Sequence, residues 1–162
     1  MGLAVSAYVT FKPSTEAAWD SVQDGSVVRL WNAQAFVSRG DGIAVGHYEV
    51  GAMSAHGFNA GSYTGYSEWR RQLAQLVGTT PEDVWGGAEV PFAELINFSD
   101  CEGFIGPVTS AKLAKDFADW QARAEVFAET LEGLDRSWFI ARYADWRISF
   151  DIAARGGVVV FH

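Results

Sequence analysis

Two stretches concentrate the side chains able to do chemistry. In Asn97-Phe98-Ser99-Asp100-Cys101-Glu102 an amide, a hydroxyl, two carboxylates and a thiol follow an apolar segment, and Gly103 and Gly106 come next. On an extended backbone residues two apart share a face, so Asp100 and Glu102 would converge as general acid and base or as oxygen ligands for a hard cation. A turn in which Asp100 bonds backbone amides accounts for the same residues without a ligand. Cys101 is a poor nucleophile, because the flanking carboxylates oppose formation of a thiolate.

The second stretch is Gly61-Ser62-Tyr63-Thr64-Gly65-Tyr66, leading into a helical pattern through Trp69. Free N–H groups and the positive dipole end of a helix start favour an anion. Ser62, Tyr63 and Tyr66 supply hydroxyls and stacking faces, and Arg70 lies one turn on, where it could fork onto a phosphate or carboxylate. An ordinary capped helix start explains these residues too, and no phosphate-loop spacing is present. His162 follows an apolar run and, with Asp100 and Glu102, completes a histidine–carboxylate set for a metal or for acid–base work. His47 falls in a strand pattern and His56 in a glycine-rich segment. No HxH, HExxH or CxxC spacing occurs, so no metal is expected and the cofactor is left unknown.

The elements that must position these groups follow from pattern. Leu3, Val5, Ala7, Val9 and Phe11 alternate with smaller or polar residues, and so mark a strand. Thr15 to Val22 suits a short helix with Trp19 inward. Val27 to Trp31, Ala35 to Ser38 and Ile43 to Val50 read as strands, the last two joined by a hairpin at Arg39-Gly40-Asp41-Gly42. Gly51 to Gly65 is glycine-rich and reads as a boundary or long loop. Tyr66, Trp69, Leu73, Leu76 and Val77 recur at helical spacing until Gly78. Thr80-Pro81-Glu82-Asp83 is a capped helix start. Pro91 to Phe98 fits either a helical turn or a buried strand. Leu113, Phe117, Trp120, Ala124, Phe127 and Leu131 predict a long helix from Pro107 or Thr109 through Glu132. A second begins at Asp135 and carries two apolar stripes. Gly156-Gly157 ends it, and Val158 to Phe161 suits an interior strand. The aromatic stripes read as core. Arg142, Arg147 and Arg155 lie off the main stripe.

The fold class is therefore α+β: a β-rich portion over 1–55, then an α+β portion over 56–162 carrying the candidate site, the two forming one compact unit. The net charge of −8 makes nucleic acid an unlikely partner by phosphate repulsion. No apolar run approaches the ~20 residues that span a bilayer, so no membrane is expected. A single cysteine excludes an internal disulfide and suits the cytoplasm.

From Ser62 onward the chain resembles a family of uncharacterised bacterial and phage proteins. The resemblance rests on Gly61 to Tyr66 with Trp69-Arg70, on Pro91-Phe92 through Asn97 to Gly103 and Ile105-Gly106-Pro107, and on Gly156-Gly157-Val158-Val159 with Phe161-His162. It implies a bacterial or phage cytoplasmic protein and names no activity. The function expected from the residues is binding of a small polar or anionic ligand, possibly nucleotide-derived, by Ser62, Tyr63, Tyr66, Arg70, Asp100 and Glu102. One alternative is a hydrolase using Asp100, Glu102 and a histidine such as His162, directly or through a metal. Another is a protein–protein interaction module using aromatic surface near Trp31 or Trp85, with a homo-oligomer as one form of it.

Overall fold

The computed structural model describes residues 2–15, 25–51 and 56–162. In chain order the elements are β1 (Gly2–Tyr8), β2 (Phe11–Pro13), β3 (Val27–Leu30), a 3-10 helix (Gln34–Gly40), β4 (Gly46–Val50) and β5 (His56–Ser62). Then come α1 (Tyr63–Leu76), α2 (Pro81–Trp85), α3 (Ala93–Ile96), β6 (Gly103–Ile105), α4 (Pro107–Ala128), α5 (Gly133–Ala153) and β7 (Val158–Phe161). The fold is α+β. The helix expected over Thr15 to Val22, with Trp19, falls after Thr15 on positions outside the described residues.

Two antiparallel sheets form, one ordered β5-β1-β7-β6 and the other β2-β4-β3. The alternation in β1 decides what each face covers. Leu3, Val5 and Ala7 join Val159, Phe161 and Ile105 in a core shared with the helices. Tyr8, Val158, Val160 and Phe104 pack instead against Val28, Leu30, Tyr48 and Val50 of the second sheet. The first sheet is thus a middle layer with helices on one side and a sheet on the other. This is why Val158–Phe161 is apolar at every position and buried throughout: a strand covered on both faces has no solvent side.

The helical layer is held by aromatic contacts. Trp146 of α5 lies 5.9 Å from Trp69 and 5.7 Å from Tyr66, both of α1. Phe117 of α4 meets Tyr143 at 4.7 Å, and the Tyr143 hydroxyl donates to the Phe117 carbonyl at 2.7 Å. Thr80 caps α2 as its sequence predicts, accepting from the Asp83 N–H. The ambiguous segment from Pro91 resolves into the single turn α3, entered through Phe92 at φ 63°.

Three expectations are corrected. The alternation from Leu3 to Phe11 is not one strand: β1 ends at Tyr8, and Phe11 opens β2 of the other sheet. Ala35 to Ser38 is not a strand but part of the 3-10 helix, and no hairpin follows it. The Asp41 carboxylate explains the change, because it accepts from Thr109 N–H at 2.9 Å and Thr109 Oγ1 at 2.7 Å in the first turn of α4. That tertiary cap outweighs the local strand propensity. The glycine-rich segment after Gly51 is not a loop throughout, since from His56 it is strand β5. A register shift at Leu3/Ala4 and Gly61 at φ 112° let that strand bend beneath Trp138, whose ring would lie 2.9 Å from a Cβ at position 61. Strand β1 lies between β5 and β7, so the first portion supplies an inner strand of the sheet that carries the second.

Candidate ligand cleft

The expected site at the start of α1 dissolves into structure-building contacts. The Ser62 hydroxyl accepts the Gly65 N–H at 3.1 Å and caps the helix. Tyr63 is exposed, whereas Tyr66 is fully buried in the aromatic core. Burial pushes the Tyr66 phenol far above its usual pKa; the Arg70 guanidinium pulls it down and Asp100 raises it, each by less. Arg70 does not reach outward to an anion. It is buried, stacks over the Tyr66 ring at 4.5 Å, and donates to the Phe98 carbonyl at 2.7 Å and the Ile96 carbonyl at 3.5 Å. Its charge is spent on the unsatisfied carbonyls after α3. Tyr66 and Arg70 are therefore corrected from ligand-contacting residues to internal braces of the polar turn.

That turn is organised by Ser99, whose hydroxyl accepts the N–H groups of Cys101 at 3.3 Å and Glu102 at 3.2 Å. Asp100, Cys101 and Glu102 are all exposed. Tyr66, Arg70 and Asp100 lie close enough to act on one another electrostatically, but neither they nor Ser62 and Tyr63 line the cleft that Glu102 shares with His162.

Glu102 and His162 do meet, in an open cleft of about 630 Å³ wedged between the two sheets. Ser6 and Tyr8 of β1 and Val160, Phe161 and His162 at the end of β7 form one wall. Val27, Val28, Arg29 and Trp31 of β3 and its extension form the other, with Glu102 and Gly103 at the β6 end. His162 is tied in place by its main-chain N–H, which donates to the Ala4 carbonyl at 2.9 Å. More than a third of its surface stays exposed, yet the cleft walls withdraw water from the imidazole and pull its pKa below the usual histidine value. Burial pushes the Tyr8 phenol up, against a smaller opposing pull from the Ser6 hydroxyl beside it. Arg29 is exposed with its guanidinium 5.8 Å from the Trp31 ring, a cation–π distance.

The cleft is held at one end by Asn32. Its Oδ1 accepts the Phe104 N–H at 2.8 Å and its Nδ2 donates to the Phe104 carbonyl at 2.9 Å. One amide thereby bridges the end of β3 to β6 and fixes the distance between the sheets. Gly103 is required beside it, at φ 147°, with Asn32 Oδ1 only 2.8 Å from where a Cβ would stand.

Sequence reasoning found Glu102 and His162, named Trp31 only as aromatic surface for a protein partner, and missed Ser6, Tyr8, Arg29 and Asn32. These four carry no motif. The one available signal was an arginine and a tryptophan interleaved in an otherwise apolar strand, Val27 to Asn32. Among the described residues no cluster of three His, Cys, Asp or Glu side chains could hold a metal ion, and no helix is long and apolar enough to cross a membrane. Comparison with protein-family models, with curated proteins and with solved structures finds no match to this chain.

Proposed function

We propose that the protein binds a small polar ligand, anionic at one end, in the cleft between its two sheets. The observation that carries this reading is the convergence there of a guanidinium on an indole platform (Arg29, Trp31) with an imidazole (His162) and a carboxylate (Glu102). A concave site with few polar groups on apolar walls is the usual form of a small-molecule site. Arg29 would take the anionic group and Trp31 a flat face, while Glu102 would accept from hydroxyl or amino groups. The exposed, free Cys101 supports a reducing compartment such as the cytoplasm for this activity.

The test is thermal unfolding against inorganic phosphate, adenosine monophosphate, glutamate and glucose. A ligand at 100 times its Kd adds about 2.7 kcal/mol, a rise of roughly 5–10 °C for a chain of this length. Arg29→Ala and Trp31→Ala should abolish the shift while Arg71→Ala, remote from the cleft, leaves it intact. A shift that survives both cleft substitutions removes the proposal.

A second reading is favoured by one specific observation, that Glu102 and His162 line the same cleft. With its pKa lowered, His162 is a neutral imidazole able to accept a proton from water, and the Glu102 carboxylate would orient it. Turnover of phosphoester, amide or glycosidic probes that is lost in both His162→Gln and Glu102→Gln supports hydrolysis. Turnover retained in both excludes it.

A further inference from the structure

Helix α5 carries two apolar stripes, and the fold buries one of them. Phe139, Tyr143, Trp146 and Phe150 are buried in the helical layer. The other stripe runs along the outer face through Leu134, Trp138, Ala141, Ile148 and Ile152. There Leu134 is 87% exposed, Ile148 44% and Trp138 36%, and Ala141 and Ala144 are exposed as well. Helix α4 of the same layer has an ordinary solvated face, with Lys112, Lys115, Asp119 and Arg123 exposed along it. A continuous apolar face left in water marks an interaction surface.

The charges that could solvate this face are turned away from it. Between Ser137 and Phe150 the helix has three, Arg142, Asp145 and Arg147. Asp145 faces strand β5, where its carboxylate meets the Arg142 guanidinium at 2.7 Å and His56 Nε2 at 3.2 Å. Arg142 lies over the Trp138 ring at 4.7 Å and donates to the Asn59 carbonyl. Arg147 donates to Gln121 Oε1 of α4 at 3.0 Å. The steps from Leu134 to Ile152 are four, three, seven and four, which is the 3.5-residue period of a seam between two helices. Ala141 and Ala144 at its middle let a second helix approach closely.

We infer that this face docks on its counterpart in a second copy of the chain, α5 against α5, antiparallel about a two-fold axis near Ala141 and Ala144. In such a pairing each contact occurs twice. Ala141 of one copy faces Ala144 of the other, and Leu134 packs near Ile152. Glu132 and Asp135 against Arg136 leave the start of the helix net acidic, while Arg147 and Arg155 against Asp151 leave its end net basic. The antiparallel arrangement brings the exposed Glu132 of one copy within a turn of the exposed Arg155 of the other, and sets opposite dipole ends together. A parallel pairing would set like charges side by side. The 21 residues of α5 span about 32 Å, so the contact is small beside the ~1,200 Å² of standard interfaces, and a Kd of about 1–100 µM follows. The face lies on the far side of the first sheet from the cleft, and the inference is independent of what the cleft binds.

Sedimentation equilibrium of the full chain from about 5 to about 500 µM should show a reversible passage from the mass of one chain to that of two. Ala144→Glu and Ile148→Glu, both at exposed positions, should keep the chain monomeric throughout with an unchanged circular dichroism spectrum. Lys115→Glu on the outer face of α4 should dimerise as the wild type does. Arg155→Glu and Glu132→Arg should each weaken the dimer about tenfold, and the two together in one chain should restore it. A wild type that stays monomeric over the whole range overturns the inference and leaves the face to a different protein. A dimer that survives both Ala144→Glu and Ile148→Glu uses another face and overturns it too. Single reversals that weaken the dimer without recovery in the combination overturn the antiparallel pairing.

Discussion

Replacing Asn32 tests whether one side-chain amide holds the cleft together. In Asn32→Ala the Phe104 N–H and carbonyl both lose their partners. Phe104 is 2% exposed, so water does not simply take their place. An unpaired buried polar group costs about 1–3 kcal/mol, and the two sit on one residue that can partly relax, so the expected loss is roughly 2–4 kcal/mol. For a chain of this length that lowers Tm by roughly 5–15 °C. Asn32→Asp discriminates further. A carboxylate still accepts from the Phe104 N–H but confronts the Phe104 carbonyl without a proton to donate. The protonated form restores both bonds, so the folded-state pKa of Asp at this position is raised above its unfolded value. A raised pKa contributes stability that is fully present below the unfolded value near 3.9 and is lost as pH rises through the folded one. Urea unfolding of the wild type and both variants across pH 3.5–7.5 checks this. If Asn32→Ala costs under about 1 kcal/mol, or Asn32→Asp shows no loss of stability relative to wild type as pH rises, the amide is not a clamp and the reasoning fails.

Arg70→Ala should destabilise by about 3 kcal/mol, from two charge-assisted bonds and a cation–π contact, and Arg70→Lys should recover only part of this; equal stability of Ala and Lys variants in urea would contradict it. The Tyr66 hydroxyl is buried with no partner among the described residues, so Tyr66→Phe should be neutral or stabilising by up to about 1 kcal/mol, and a clear loss of Tm would reveal a bond there. Gly157→Ala should abolish or severely impair folding, because its Cβ would stand 1.9 Å from the Tyr8 carbonyl oxygen; a soluble variant with wild-type Tm would refute the contact. His162 should titrate below the usual histidine value by NMR. Its neutral folded form means stability falls as pH drops below about 6.5, where the unfolded state takes up the proton first. His162→Gln should flatten that slope, and an unchanged slope would remove His162 as its cause.

How much of this was legible in the sequence depends on the range of the interaction involved. The alternation in β1, the caps at Ser62 and Thr80, the steps from Leu113 to Leu131 and the run Val158 to Phe161 are set by neighbours along the chain. Those elements stand where the pattern put them, give or take a turn, except that Phe11 leaves the β1 pattern for β2 of the other sheet; α4 ends at Ala128, short of the expected Glu132. The α+β class follows from the same local periodicities. Other features depend on residues far apart in sequence. Ala35 to Ser38 has strand-like composition, but Asp41 is drawn to Thr109 and the chain turns instead. Arg70 looks like a ligand fork at a helix start, and only the fold shows the carbonyls of Ile96 and Phe98 arriving beneath it. Glu102, His162 and Trp31 could be suspected from residue type, but Ser6, Arg29 and Asn32 gain meaning only when two sheets stack. The sequence alone determined the two long helices and the strands β1, β3 and β7, because backbone periodicity and capping are local. The tertiary structure alone decided which polar groups face a cleft and which are consumed inside, because that depends on partners far along the chain, as Asn32 and Phe104 are, 72 residues apart.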